Sequence, residues 1–270
     1  MTIKLIVTDI DGTIMPYGKK TVTERTCRAF HAAMDAGILV GPASGRFYQW
    51  IPDFFHGDTA CCQTALATNG MQIYLGGEKI LQREVPAGAC VAAAEVLAQV
   101  PHSGLLCFRD SKAYLVAGSR DDLAVAFPRY AQECVDGELP EGPVEKANVF
   151  IAGTLEETRA LVARLNAEVA GVDFDVPQPM FSNVVPAGWN KGAALRWLMD
   201  REGIAPEEVV AFGDGGNDLQ MLAVAGHSVA VEGALPEVKR AARHCIGPVE
   251  QDSVAACIEA IAAGDWPFDD

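Results

Sequence analysis

Two carboxylates one position apart, Asp9 and Asp11, end the apolar run Leu5-Ile6-Val7-Thr8 and are followed by Gly12-Thr13. A short run with β-branched residues reads as a buried strand. A carboxylate at its end is costly to bury unless a metal or a hydrogen-bond network compensates it. A plain turn is the competing reading, because Asp-Gly is a common turn pair. Three other segments carry polar residues of chemical interest. Ser44-Gly45-Arg46 follows the apolar run Ile38-Leu39-Val40, and Lys191 opens a helical stretch. The acidic segment Gly213-Asp214-Gly215-Gly216-Asn217-Asp218 follows Val209-Val210-Ala211-Phe212.

These residues need a scaffold that brings distant segments together. Thr23 is placed to cap a helix running to about Ala36, with Gly37 as its stop signal. An aromatic-rich stretch, Phe47 to Phe55, reads as helical. Gln72 to Leu75 then pairs with Lys79 to Val85 across Gly76-Gly77, a strong hairpin signal. After Pro186 helices alternate with strands: a helix from about Lys191 to Arg201, strands 209–212, 228–231 and 244–246, and a closing helix. That alternation implies a doubly wound, parallel, Rossmann-like α/β sheet. Ligands bind in such sheets outside the carboxyl ends of the strands. Asp9, Ser44 and Asp214 each stand just past such an end, so three remote segments are expected to meet at one edge.

Between them the character changes. From Pro86 to about 185 an alanine-rich helix (Ala87 to Gln99) precedes strands near 105–109 and 113–117, a helical segment and a Pro/Gly-rich loop at 140–143. A strand at 148–152, a helix at 155–169 and strands near Phe174 and Val184 follow. Strands that crowd together without a helix after each suit an antiparallel α+β domain. The expected organisation is a core of residues 1–85 and 186–270 with an inserted cap of residues 86–185.

Composition narrows the partners. With 270 residues the chain is long enough for two domains, half of it is apolar and a fifth charged. A net charge of −15 argues against a nucleic-acid surface, which needs clustered Lys and Arg. A small anionic ligand stays compatible, since one cation and a metal reverse the local field. There is no signal-peptide pattern and no uninterrupted apolar stretch long enough to span a bilayer, Glu95 breaking the best candidate. The eight cysteines include no Cys-x-x-Cys pair and read mostly as reduced core residues. A cytoplasmic protein without membrane or nucleic-acid partners is expected; homo-oligomerisation is left open by the sequence.

Taken together, the four segments resemble the haloacid dehalogenase (HAD)-like hydrolases, and more narrowly the Cof-type phosphatase branch with a C2-type cap. The matching residues are Asp9-Ile10-Asp11-Gly12-Thr13, Ser44-Gly45-Arg46, Lys191-Gly192 and Gly213 to Asp218, in the family's order, with Asn69-Gly70 also fitting the branch. Ser44 stands where Thr is frequent and Gly215 where Ser is common. The resemblance implies that Asp9 is a nucleophile forming an aspartyl-phosphate and that Asp11 is the general acid and base. Nearby negative charge would raise the pKa of Asp11 for that role. It implies a Mg²⁺ cofactor held by Asp9, the carbonyl of Asp11, Asp214 and Asp218. Ser44 and Lys191 would hold the phosphoryl group and orient Asp9, with Gly12, Gly45, Arg46, Asn69, Gly70 and Asn217 around the phosphate. Capping of the helix that follows is the competing reading for Asn217 and Asp218.

The implied activity is hydrolysis of a small phosphorylated metabolite, such as a sugar phosphate, beneath a lid formed by the insert. Arg109, Lys112 and Arg120 are the insert's candidate anion contacts, with solvated surface charge as the competing reading. A phosphomutase or phosphotransferase would share the aspartyl-phosphate. A non-enzymatic phosphoacceptor module would share the acidic cluster and the lysine, but not the insert or Asp11.

Overall fold

The protein is described by a computed structural model covering residues 2–138 and 141–268. It divides into two compact units, Met1–Gln82 with Asn190–Asp270, and Arg83–Trp189.

In the first unit, β1 (Leu5–Thr8) leads through α1 (Glu24–Asp35) to β2 (Leu39–Pro42). Thr23 caps α1, its hydroxyl accepting the Thr26 N–H at 3.2 Å, and Gly37 follows with φ of 79°. The aromatic stretch then departs from a single helix. A 3₁₀ turn at Tyr48–Trp50 abuts the one-turn α2 (Ile51–Phe54). Pro52 lacks an N–H and crowds the carbonyl four residues earlier, so a helix cannot run continuously through it. Phe47, Ile51 and Phe55 are nonetheless buried, Phe55 packing on Phe30 of α1.

β3 (Ala65–Ala67), β4 (Gln72–Leu75) and β5 (Glu78–Gln82) form a small antiparallel sheet. Gly76 and Gly77 both have positive φ, as a two-residue primed turn requires. β5 ends at Gln82 rather than Val85, because the backbone N–H of Val85 donates to Val144 O (2.8 Å) inside the second unit.

The second unit opens with α3 (Ala87–Leu97), β6 (Ser103–Arg109) and β7 (Lys112–Ala117). It continues through α4 (Arg120–Ala126), α5 (Pro128–Glu133), β8 (Val135–Asp136) and β9 (Lys146–Ile151) to α6 (Leu155–Glu168), β10 (Val172–Phe174) and β11 (Phe181–Pro186). Its sheet runs β10-β11-β9-β6-β7-β8, antiparallel except for the short β7–β8 pair. The Pro/Gly-rich loop expected at 140–143 lies partly outside the described residues.

The chain re-enters the first unit at α7 (Lys191–Glu202) and adds β12 (Val209–Gly213), α8 (Leu219–Val224), β13 (His227–Val231), α9 (Pro236–Ala241), β14 (His244–Ile246) and α10 (Ser253–Ala263). The central sheet is wholly parallel, in the order β14-β13-β12-β1-β2. β1, β12 and β13 are buried along their length, which explains why they read as continuous apolar runs without alternation.

This order decides where the chemistry sits. β1 lies between β2, reached by the first crossover, and β12, reached only after the second unit. The chain therefore changes direction across the sheet at β1, and such a switch point opens a crevice outside the strand ends. Asp9 stands at that point, flanked by the ends of β2 and β12.

Candidate active site

Lys191 is the centre of the polar cluster. Asn190 caps α7, its side-chain oxygen accepting the Ala193 N–H at 2.9 Å, so Lys191 is the first residue of the helix. A cation in a helix's first turn opposes the macrodipole and is unfavourable unless anions surround it. Here the ammonium is wholly buried and donates to Asp9 Oδ1 and Asp218 Oδ1, each at 2.7 Å. Burial alone would lower its pKa, but the two carboxylates outweigh burial and hold it above its ordinary value.

Asp218 is divided between two tasks. While Oδ1 meets Lys191, Oδ2 accepts the backbone N–H groups of Asp214 (3.0 Å) and Gly215 (2.9 Å). It thus pins the turn before it and supplies no side-chain cap to α8. Asn217 likewise reaches elsewhere, donating from Nδ2 to Asn69 Oδ1 at 3.1 Å.

Asp214 is held by two hydroxyls, Thr13 to Oδ1 (2.7 Å) and Tyr17 to Oδ2 (3.0 Å). Gly12 is required beneath them. Its φ is 84°, and a Cβ there would lie 2.4 Å from Asp214 Oδ2 and 2.6 Å from the Tyr17 ring. Gly12→Ala is expected to push this carboxylate out of place. We expect about 1–2 kcal/mol of lost stability and roughly tenfold weaker Mg²⁺ affinity, checked by Mg²⁺ titration of the folded variant.

The second motif braces a different carboxylate. Arg46 donates from Nε to Asp11 Oδ2 (2.9 Å) and from a terminal nitrogen to Asp11 Oδ1 (2.6 Å), a bidentate clasp. Its guanidinium lies 4.2 Å from the Phe54 ring centroid. Ser44 is buried, with Oγ accepting the Arg46 N–H at 3.3 Å. The Ser44 carbonyl accepts the Asn69 N–H, bringing that loop alongside. Thr68, Asn69 and Gly70 all have positive φ, and a Cβ at Gly70 would lie 2.2 Å from the Ala194 Cβ of α7. Such conformations are costly for Thr and Asn, and clusters of them mark functional sites. A Cβ at Gly45 would come within 3.2 Å of Asn69 Nδ2, so this loop too sits tightly on its neighbour.

Ligand atoms of Asp9, Asp214 and Asp218 lie within 4.8 Å of one another. Burial first, then the neighbouring acids, raise Asp9 well above the usual carboxylate range despite Lys191. Burial and Asp218 push Asp214 up to about 6. Three buried carboxylates against one buried ammonium leave an excess of negative charge. A hard divalent cation with oxygen ligands fits that excess.

The shift has a sign that can be tested. Between the ordinary value of 3.8 and about 6, folded Asp214 binds more protons than the unfolded chain. Metal-free stability is therefore expected to fall as pH rises through that window, by up to about 3 kcal/mol. A divalent cation held by the cluster would reverse the loss, so any thermal shift that added Mg²⁺ produces should be larger at pH 7.5 than at pH 5. Equal shifts at both would show that the acidic cluster does not hold the ion.

The expected site residues thus fall into two joined groups. Lys191 links Asp9 to Asp218, with Asp214 beside them, and Arg46 holds Asp11 next to Ser44 and the Asn69 loop. The Asp11 carboxylate stands apart from the acidic triad. Thr13 and Tyr17 were missed by the sequence reading. Thr13 carried a signal, as the hydroxyl after Gly12, whereas Tyr17 carried none. In the second unit Arg120 donates to the carbonyls of Ala131 and Cys134 and pairs with Asp136 at 2.9 Å, so it ties α4 to α5 and β8. Lys112 lies over the Tyr114 ring and Arg109 beside Asp110. No helix among the described residues is long and apolar enough to cross a membrane.

The chain is similar to known proteins over most of its length. The sequence matches the model of the haloacid dehalogenase-like hydrolases over residues 6–258. It is 27% identical to the 5-amino-6-(5-phospho-D-ribitylamino)uracil phosphatase YbjI of Escherichia coli K12, over the full length of both chains. It is 29% identical to an HMP-PP phosphatase of Serratia proteamaculans, covering 93% of each. Among solved structures, a Streptococcus mutans protein superposes with a TM-score of 0.84 at 21% identity, covering 97% of this chain and 100% of the other. A HAD subclass IIB sugar phosphatase superposes at 0.79 and 22% identity, covering 95% and 98%. The family match spans most of the sequence, and the chain belongs to the haloacid dehalogenase-like hydrolase family.

Proposed function

We propose that this protein is a Mg²⁺-dependent phosphatase that hydrolyses a small phosphorylated metabolite, such as a sugar phosphate, through an aspartyl-phosphate on Asp9. One observation carries the reading: a wholly buried lysine shared between Asp9 and Asp218, with Asp214 alongside, at the switch point of the sheet. Relatives named as phosphatases of two different phosphorylated metabolites support the reaction class.

Lys191 occupies Asp9 Oδ1, which directs the other carboxylate oxygen toward phosphorus. That oxygen attacks, the ester P–O bond breaks, and Asp11 gives its proton to the leaving oxygen. Water then attacks phosphorus, the bond to Asp9 breaks, and Asp11 takes the proton back. Arg46 donates to both Asp11 oxygens, the arrangement of an ionised carboxylate, so the clasp must open and Asp11 take up a proton from solvent before it serves as the acid. Ser44 and the Asn69 loop donate to the phosphoryl oxygens, and Lys191 balances their charge. Asp9, Asp214, Asp218 and the Asp11 carbonyl would hold Mg²⁺, which supplies Lewis-acid stabilisation of the transferring group. Selection of the leaving group is assigned in the same proposal to the insert, taken at sequence level as residues 86–185.

The test is phosphate release from a panel of phosphoesters, including an aryl phosphate, with and without Mg²⁺. Mg²⁺-dependent turnover supports the reading. Stable labelling of Asp9 without phosphate release, or transfer to an added alcohol in place of water, would overturn hydrolysis in favour of transfer.

A further inference from the structure

Away from the acidic triad, α1 and the 3₁₀ turn Thr59–Cys62 bring together a different set of ligands. Cys27 and His31 are four residues apart on α1, so they share one face of the helix. Asp58 caps the turn and Cys61 lies within it. His31 Nε2 is 2.6 Å from Asp58 Oδ2, and Cys61 Sγ is 3.6 Å from the same oxygen. Atoms of these three residues lie within 4.8 Å of one another. Cys61 Sγ also lies 3.9 Å from the backbone carbonyl oxygen of Cys27, which places Cys27 next in line.

We propose that His31, Asp58 and Cys61, with Cys27 completing the set, bind a thiophilic divalent cation such as Zn²⁺ and pin α1 to the 59–62 turn. A surface ion pair is the plainer reading, but it accounts for His31 and Asp58 alone and contributes little. It leaves unexplained why the buried Cys61 thiol faces the same carboxylate oxygen as His31. Tetrahedral zinc sets neighbouring ligand atoms about 3.3–3.8 Å apart. The Cys61–Asp58 separation already matches this. The His31–Asp58 separation must open by less than about 1 Å, which the half-exposed His31 side chain allows. Asp58 is held for the purpose, its Oδ1 accepting the Ala60 N–H at 3.0 Å while Oδ2 faces the other ligands. Nitrogen and sulfur ligands select zinc over magnesium, which prefers an all-oxygen set. Cation binding through the Cys61 sulfur displaces its thiol proton into solvent.

Cobalt titration of the chelator-treated full-length protein tests this, with excess Mg²⁺ present to occupy the acidic triad. The expected result is a near-ultraviolet thiolate-to-cobalt charge-transfer band, abolished by stoichiometric Zn²⁺ and lost in Cys61→Ser. Cys27→Ser should lose one of two thiolate contributions. Because Cys61 is buried and its variant could misfold, His31→Ala is the second probe. It should weaken Co²⁺ binding roughly tenfold or more with an unchanged circular dichroism spectrum. Absence of the band overturns the proposal, as does a band indifferent to both Cys61→Ser and His31→Ala. So does loss of two free thiols on mild oxidation with no cobalt uptake by the reduced protein, which would make Cys27 and Cys61 a redox pair. The spectrum is read without substrate, so its outcome is separate from that of the phosphatase assay.

Discussion

Asp9→Asn is expected to lower Mg²⁺-dependent phosphate release by about 10⁴-fold or more, the scale of losing a covalent nucleophile. The amide keeps the shape of the side chain but has neither the charge nor the nucleophilicity of a carboxylate. Its effect on the fold should be small, and for a physical reason. Asp9 is charged at a cost, its pKa raised by burial and by Asp218, Asp214 and Asp11. A neutral side chain relieves that repulsion, while Lys191 retains Asp218 at 2.7 Å. Steady-state phosphate release, run beside thermal melting, separates the two effects. A variant that melts normally and keeps a tenth of the wild-type rate would remove Asp9 from the nucleophilic role.

Lys191→Met should damage both fold and activity. Methionine fills much of the same volume but leaves Asp9 and Asp218 buried together without their shared cation. Breaking a buried pair by removing one partner costs about 3–5 kcal/mol. For the metal-free protein we expect a fall in melting temperature of roughly 10 °C. Mg²⁺ should restore part of it, because a cation at the acidic triad neutralises the same carboxylates. Activity should fall about 10²–10³-fold even where the fold is rescued, since the fixed charge facing the phosphoryl group is gone. A Lys191→Met protein that melts like the wild type without Mg²⁺ would show that the buried ammonium does not hold these strand ends together. The contrast between the two variants is itself informative, because one removes an excess charge and the other removes its compensation.

Much of this was legible in the chain alone. Leu5–Thr8 and Val209–Phe212 read as buried parallel strands because both faces are covered, which leaves no alternation to misread. Thr23, Gly37 and the Gly76-Gly77 turn marked their boundaries through local backbone chemistry. Where a local signal met a stronger local constraint or a distant partner, it failed. The aromatic stretch broke at Pro52, and β5 stopped short because Val85 pairs with Val144.

The candidate site divides the same way. Residue types, order and position at strand ends follow from local sequence, and with them the family and its acidic and basic motifs. Partner choice does not, because it depends on side chains that meet only when the sheet closes around β1. Only the tertiary structure decided that Asp218 is split between Lys191 and the backbone of its own turn. It also decided that Asn217 reaches Asn69 rather than capping α8, that Arg46 grips Asp11, and that Tyr17 touches Asp214. Tyr17 and Asp214 are 197 positions apart. No local pattern encodes a hydrogen bond across that separation; the strand order of the sheet creates it.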